Sequence, residues 1–340
     1  MNKFFTFFLL ITATYLCSCY TSRQTKTIVK INSLHFLSEY DIPYNKEFDN
    51  TITGGLSGIN YNSKKDEYYL ISDDRSAKNP ARFYTAKIEI NNSKIDSVYF
   101  IKNTFLKNKM GKYYPAFNTN AAETPDPEAL QFNSSDNTFI WSSEGERIIN
   151  AKDTILQNPS ITIIDSTGKY LETFQLPANL LMKSTESGPR QNGVLEGLAF
   201  SENNRNLFVS VEEPLFQDGP RAGTKDSSGI IRIIKFDVKT KKLVAEFAYK
   251  IDPVAYPPFP ANSFKVNGIS DILSAGKNKL LVIERSYSTG RLSCTIKVYS
   301  ADISAAENVQ HGSSLKEKKS HKICVKKVIT QYGRAWILYR

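Results

Sequence analysis

At 340 residues, with 41% hydrophobic and 23% charged residues, the chain is long enough to bury a core and too apolar for a disordered segment. Its formal charge of +10 raises the question of a nucleic-acid partner until the charge is located. One of the 44 Lys and Arg lies in residues 1–18 and eight lie after residue 310, against one acid, Glu317; 35 bases and 33 acids remain between, so the body is nearly neutral and a nucleic-acid-binding body is excluded.

In chain order, Lys3 and the apolar run from Phe4 to Leu16 read as a secretory signal over residues 1–18, too short to span a bilayer. The ending Leu16-Cys17-Ser18-Cys19 resembles a bacterial lipobox, which implies cleavage before Cys19 and lipidation of its thiol; simple cleavage leaving a free Cys19 is the alternative. The expectation is an exported lipoprotein, tethered by residues 19–33 to the outer membrane on its periplasmic or surface face, touching membrane through the lipid alone. Cys294 and Cys324 can pair or stay separate thiols, and no Cys/His cluster suggests zinc.

From Leu34, LHFLSEYDIPYN predicts a lone strand that needs a partner elsewhere. A two-part phrase then recurs four times, roughly 70 residues apart. Its openings are LSGI from Leu56, PEAL from Pro127, LEGL from Leu195 and ISDI from Ile269; the answering strands are YYLISDD from Tyr68, TFIWSSE from Thr138, LFVSVEE from Leu207 and LLVIER from Leu280. Further strands follow each pair, at Phe83 and Val98, Ile161 and Tyr170, Ile230 and Leu243, and Thr295. Helical periodicity is confined to the signal and the short LPANLLMK.

Repeated four-stranded antiparallel units predict an all-β fold, a β-propeller over residues 34–315, because each blade leaves an apolar face that only a neighbour can cover. Four blades are detectable, the first strand of each lining the channel, and an incomplete closing blade takes the Leu34 strand as its outermost member. A two-sheet sandwich is the alternative. Residues 316–340 form an atypical basic tail, read as a truncated or frame-shifted end.

In this register Ser57, Glu128, Glu196 and Ser270 share one position, and Asp73, Glu144, Glu212 and Glu284 another. Carboxylates collected on one face repel one another unless arginines or a cation compensate, and Arg75, Arg147 and Arg285 follow the acids closely. A hard cation such as calcium is the other compensation. The functional reading is a site for an anionic ester, with arginines holding the anion and a carboxylate binding metal or activating water. The candidates are Glu128, Glu196, Glu212 and Arg285 for catalysis, Arg75, Arg147, Glu144 and Glu284 for substrate, and Asp73, Asp74, Glu213 and Asp271 for metal. The structural reading of the same acids is turn capping and ion pairing between blades. Serine-type catalysis has little support: GGLSG lacks the GxSxG spacing, and two of the three histidines, His311 and His321, lie near the end of the chain.

The ordered strings GGLSGI, ISDDR, DPEALQF, SSEGER, NGVLEGLAFS, VEEPL, NGISDIL and LLVIERS resemble the phytase-like domain family, "esterase-like activity of phytase", over nearly all of the mature chain. The resemblance implies a propeller that hydrolyses phosphoric or other esters. It places Asp73, Asp74, Arg75, Asp126, Glu128, Glu144, Glu146, Arg147, Glu196, Glu212, Glu213, Asp271, Glu284 and Arg285 at the family's charged positions without assigning roles. It also implies one more copy of the phrase after the fourth repeat, where this chain reads HKICVKKVITQYGRAWILYR. The expected partner is a small anionic ester; a non-catalytic propeller that binds an anionic ligand or a partner protein is the alternative.

Overall fold

The computed structural model describes residues 31–201, 204–225, 227–316 and 322–335, so Cys19 and the expected signal lie outside the described residues. The fold is an all-β propeller of four antiparallel four-stranded blades. A short hairpin precedes them, β1 (Glu47–Phe48) paired with β2 (Thr51–Ile52). Blade one comprises β3 (Leu56–Asn62), β4 (Glu67–Ser72), β5 (Arg82–Asn91) and β6 (Lys94–Phe105). Blade two comprises β7 (Pro127–Asn133), β8 (Thr138–Ser143), β11 (Ser160–Ile164) and β12 (Tyr170–Thr173), with a separate hairpin of β9 (Glu146–Ile149) and β10 (Thr154–Gln157) inserted before β11. Blade three is β13 (Leu195–Phe200), β14 (Asn206–Val211), β15 (Ile230–Asp237) and β16 (Leu243–Lys250). Blade four is β17 (Lys265–Ser274), β18 (Lys279–Ser288), β19 (Cys294–Asp302) and β20 (Val325–Ala335).

The first strands lie innermost, β3 against β7, β7 against β13, and β13 against β17. Each junction is an apolar cluster. Tyr69, Ile71 and Phe83 meet Leu130, Phe139 and Trp141 between blades one and two. Ile140, Ile161 and Ile163 meet Leu198, Val209 and Phe236 at the second junction, and Phe208, Ile231 and Ile233 meet Ile269, Ile272 and Val282 at the third. At about 1.5–3 kcal/mol per buried large side chain, these clusters dominate the blade-to-blade stability. Among the described residues, no comparable cluster joins blade four to blade one.

Side chains alternate along a strand, so Tyr84 faces away from the second blade, opposite Phe83. The β1–β2 hairpin covers it: the Phe48 ring lies 6.4 Å from that of Tyr84, Thr51 and Tyr84 share a 2.8 Å hydroxyl contact, and Arg82 donates to Ile52 O at 2.8 Å. The lone strand expected at Leu34 does not form, for residues 31–46 contain none, and the hairpin after it caps blade one instead of closing a ring. The segment has no ladder to join, and Phe36, Leu37 and Tyr44 stay exposed. The tail differs from expectation in the opposite sense: residues 325–335 are the outermost strand of blade four.

Antiparallel order puts the start of each innermost strand and the end of its neighbour at one end of the molecule. The connections 106–126, 144–159, 174–194, 212–229 and 251–264 gather there. At the other end, the turns joining the first two strands of each blade hold Asp66, Asn137, Asn204 and Asn278 at positive φ, a backbone region that Asp and Asn tolerate.

Candidate active site at the axial carboxylates

All four innermost strands slip register at the same point, between Leu56 and Gly58, Pro127 and Leu130, Leu195 and Leu198, and Ile269 and Asp271. Each slip is a bulge, and bulges re-aim side chains. Ser57, Glu128, Glu196 and Ser270 are the bulged residues, as the sequence register expects. The displaced amides find hydroxyls: Ala129 N–H donates to Ser142 Oγ and Gly197 N–H to Ser210 Oγ, both at 3.0 Å. Ser57 donates to Glu128 O at 2.7 Å, which ties blade one to blade two. Only glycine fits at 197, where a Cβ would lie 2.6 Å from Ile272 N.

The second strands correct the sequence register in one blade. Pairing sets Ser72, Ser143, Val211 and Glu284 opposite Leu56, Pro127, Leu195 and Ile269. The next residues are Asp73, Glu144, Glu212 and Arg285, so blade four contributes an arginine where the sequence reading put Glu284. A one-residue shift sends a side chain to the opposite face of a strand. Glu284 accordingly points into the blade, 1% exposed, and accepts from Tyr249 Oη, Asp252 N, Asn267 Nδ2 and Lys326 Nζ at 2.7–2.9 Å.

At the axis, ligand oxygens of Asp126, Glu128 and Glu144 lie within 4.8 Å of one another, and so do those of Glu144, Glu196 and Glu212. Glu144, in both groups, is 1% exposed; Oε1 accepts the Val194 N–H, while Oε2 is buried without a hydrogen-bond partner among the described residues. Burial, together with Glu196, Glu144, Asp126 and Asp73, pushes the Glu128 carboxyl well above the usual range. Burial and the neighbouring Glu212 and Asp126 do the same to Glu144, against the Val194 N–H. Burial, Glu212 and Glu144 raise Glu196 against the pull of Arg285.

Cations stand at the edge. Arg285 Nη2 lies 3.8 Å from Glu212 Oε1; burial disfavours its charge, but Glu212 and Glu196 outweigh that and hold its pKa up. Arg75 donates to Glu146 at 2.7 Å, sits 3.4 Å from Asp126 and stacks 4.4 Å over Phe117. Asp73 lies close enough to raise Glu128, and its carboxylate occupies the space a side chain at Gly55 would need.

The other candidates are engaged elsewhere. Asp74 holds Arg82 at 2.9 Å and accepts the N–H groups of Ala77, Lys78 and Asn79, so it caps a turn. Glu213 pairs with Arg221 at 2.5 Å. Arg147 donates to the carbonyls of Lys183, Ser184 and Thr185. Asp271, half-buried, accepts Ile272 N–H and is pushed up to about 7 by burial. The structure adds Asp126, which carried no role in the sequence reading, together with its support: Gln191 donates to Glu146 at 3.0 Å, and Val194 follows in the same loop. The signal for Asp126 was its place directly before the recurring PEAL.

Carboxylates gathered this closely are stable if they share protons or hold a cation. The acidic clusters can bind a metal: every donor is a hard oxygen, and one buried oxygen has no other partner among the described residues.

The sequence matches the family described as "Phytase-like: Esterase-like activity of phytase" over residues 51–335. No curated protein matches. Among solved structures, the chain is similar to a putative 6-phosphogluconolactonase from Bacteroides uniformis (11% identity, 74% of this chain and 69% of that one, TM-score 0.34). It is also similar to a Xanthomonas campestris gluconolactonase (12%, 66% and 67%, TM-score 0.27) and to an exo-β-1,3-galactanase from Phanerochaete chrysosporium (11%, TM-score 0.41). The galactanase match takes in 74% of this chain but spans 48% of that protein.

Proposed function

The chain belongs to the phytase-like family named for esterase-like activity of phytase, and from that premise we propose that it hydrolyses an ester of a phosphoric or other anionic acid at the axial carboxylates. The observation that carries this reading is the pair of carboxylate groups sharing Glu144, whose buried Oε2 has no hydrogen-bond partner among the described residues, with the Arg285 guanidinium 3.8 Å from Glu212. A hard divalent cation such as calcium fits that donor set and would be held by Asp126, Glu128 and Glu144, or by Glu144, Glu196 and Glu212. Bound there, it would supply Lewis-acid polarisation of the ester's anionic oxygens.

The chain's own groups take the remaining tasks. Arg285, with 45% of its side chain exposed, meets the substrate and offers a planar pair of donors to its oxygens. Burial and Glu212 make Glu196 hold a proton more tightly than an ordinary carboxyl, which suits it to give a proton to the leaving oxygen. A neighbouring carboxylate takes the proton of the attacking water, a division of labour that two acids in unlike surroundings permit.

The test is turnover by the purified protein of aryl phosphates, phytate and short acyl esters, with EDTA and with calcium. We expect hydrolysis of at least one anionic ester. A folded sample that turns over none of them sinks the reading and leaves a propeller that binds an anion without chemistry.

A further inference from the structure

Three arginines absent from the carboxylate cluster lie at the same end of the molecule. Arg147 is on β9, Arg190 in the connection between blades two and three, and Arg221 in the connection between β14 and β15. Arg147 and Arg190 stack on one ring, Phe216, at 4.9 and 4.2 Å from its centroid. Both are anchored by carbonyls rather than by acids: Arg147 donates Nε to Lys183 O, and Arg190 donates Nε to Pro214 O and Nη2 to Gly219 O, each within 3.0 Å. Among the described residues neither forms an ion pair. Arg221 alone does, with Glu213, and through Nε, which leaves both of its terminal nitrogens without a protein partner among the described residues. Nη1 of Arg147 and of Arg190 likewise has none.

We infer that Arg147, Arg190 and Arg221 form an oxyanion site, which receives a phosphate or carboxylate group of the ligand beside the carboxylate cluster. The site is built in the sense that its donors are fixed: the ring and the carbonyls hold two guanidinium groups in place, and buried Glu213 holds the third. Carbonyl anchoring orients a guanidinium without cancelling its charge, so the group stays positive toward solvent. Planar forks held this way suit the paired oxygens of phosphate and carboxylate. The surroundings agree, for burial and the neighbouring Arg221 disfavour the charge on Arg190, a cost that a bound anion would relieve. Proximity to the axis comes from one loop, whose Gln191 reaches Glu146 and whose Val194 N–H caps Glu144. The substrate class that follows is an ester with a second anionic group. That last step rests on the proposed function; the anion site itself does not.

Inorganic phosphate is the probe, titrated calorimetrically into the purified full chain in EDTA so that no cation contributes. We expect one site, weakened about tenfold or more by Arg221→Gln and much less by Arg221→Lys, which keeps the charge beside Glu213. No binding by the unaltered protein, or equal affinity in all three proteins, overturns the site. If Arg221→Gln fails to fold, the deciding measurement is the unaltered protein's thermal midpoint in sodium phosphate against sodium chloride at equal ionic strength. A rise in phosphate is expected, and none overturns the site. Phosphate binding without turnover of any ester would retain this site and reject the hydrolase; turnover without phosphate binding would do the reverse.

Discussion

Two groups of acids in this propeller differ in how many donors they have. In and beside blade four, Glu284 accepts four hydrogen bonds, and Asp252 in the preceding connection is held by Lys297, Lys326 and Tyr299. At the axis, among the described residues, Glu144 has the single Val194 N–H and an oxygen with no partner. The proton affinities of Asp252 and Glu144 diverge as a result. Burial works against Asp252, but Lys297, Lys326 and Tyr299 outweigh it and hold its carboxyl far below the usual range, while burial and like charge hold Glu144 far above. Acids whose donors are all supplied by the chain belong to the architecture, and acids left short of donors are the ones that need a ligand.

That contrast breaks most sharply at Lys326. Lys326, 18% exposed, bridges buried Glu284 and half-buried Asp252, so Lys326→Ala should lower the unfolding free energy by about 2 kcal/mol, read from urea denaturation. A loss within error would mean that the blade-four acids are no better satisfied than the axial ones. Glu144→Gln is the mirror case: turnover of the best ester should fall about a hundredfold with no loss of stability, since the change removes a repelled charge. A destabilised Glu144→Gln would place the axial acids with the architecture.

The smallest effect is the pH dependence. Glu128, Glu144 and Glu196 bind protons more tightly in the folded chain than at their ordinary value of 4.5, so the folded state holds more protons above that pH and stability falls as pH rises. Asp252 has the opposite sign, its contribution being lost as pH falls below 3.8. In EDTA the thermal midpoint should therefore drop by about 1–2 °C between pH 5 and pH 8, equivalent to about 1 kcal/mol, and calcium should flatten the slope. A midpoint that is level in EDTA and indifferent to calcium would mean that the axial acids hold no extra protons in the folded chain.

The blades and the bulged positions were legible in the sequence because they repeat: apolar runs of strand length recur with the same neighbours, and Ser57, Glu128, Glu196 and Ser270 fall into one register. Glu284 was misplaced because an acid and an arginine are adjacent in LLVIER, and the sequence carries no mark of which one faces the axis. The pairing of Ile269 with Glu284 decides it. Lys326 was hidden for another reason. Its partners Asp252 and Glu284 lie 74 and 42 residues away, so a basic tail looked unrelated to the blades until β20 was seen beside β19. The strand expected at Leu34 shows the limit of local pattern, since alternation makes a strand only where an edge is open to it.

The four aligned bulges make the axis editable one blade at a time. Blades two and three present Glu128 and Glu196, while blades one and four present Ser57 and Ser270 from the same backbone position. The number of carboxylates at the axis is therefore a count set by single substitutions outside the apolar clusters between blades, at the cost in blade one of the Ser57 bond to Glu128 O. Ser57→Glu or Ser270→Glu would add a third member to the set, and Glu196→Ser would subtract one, with Ser142 and Ser210 still holding the bulged backbone in place. A scaffold of this kind can change the chemistry at its axis without redesigning its core.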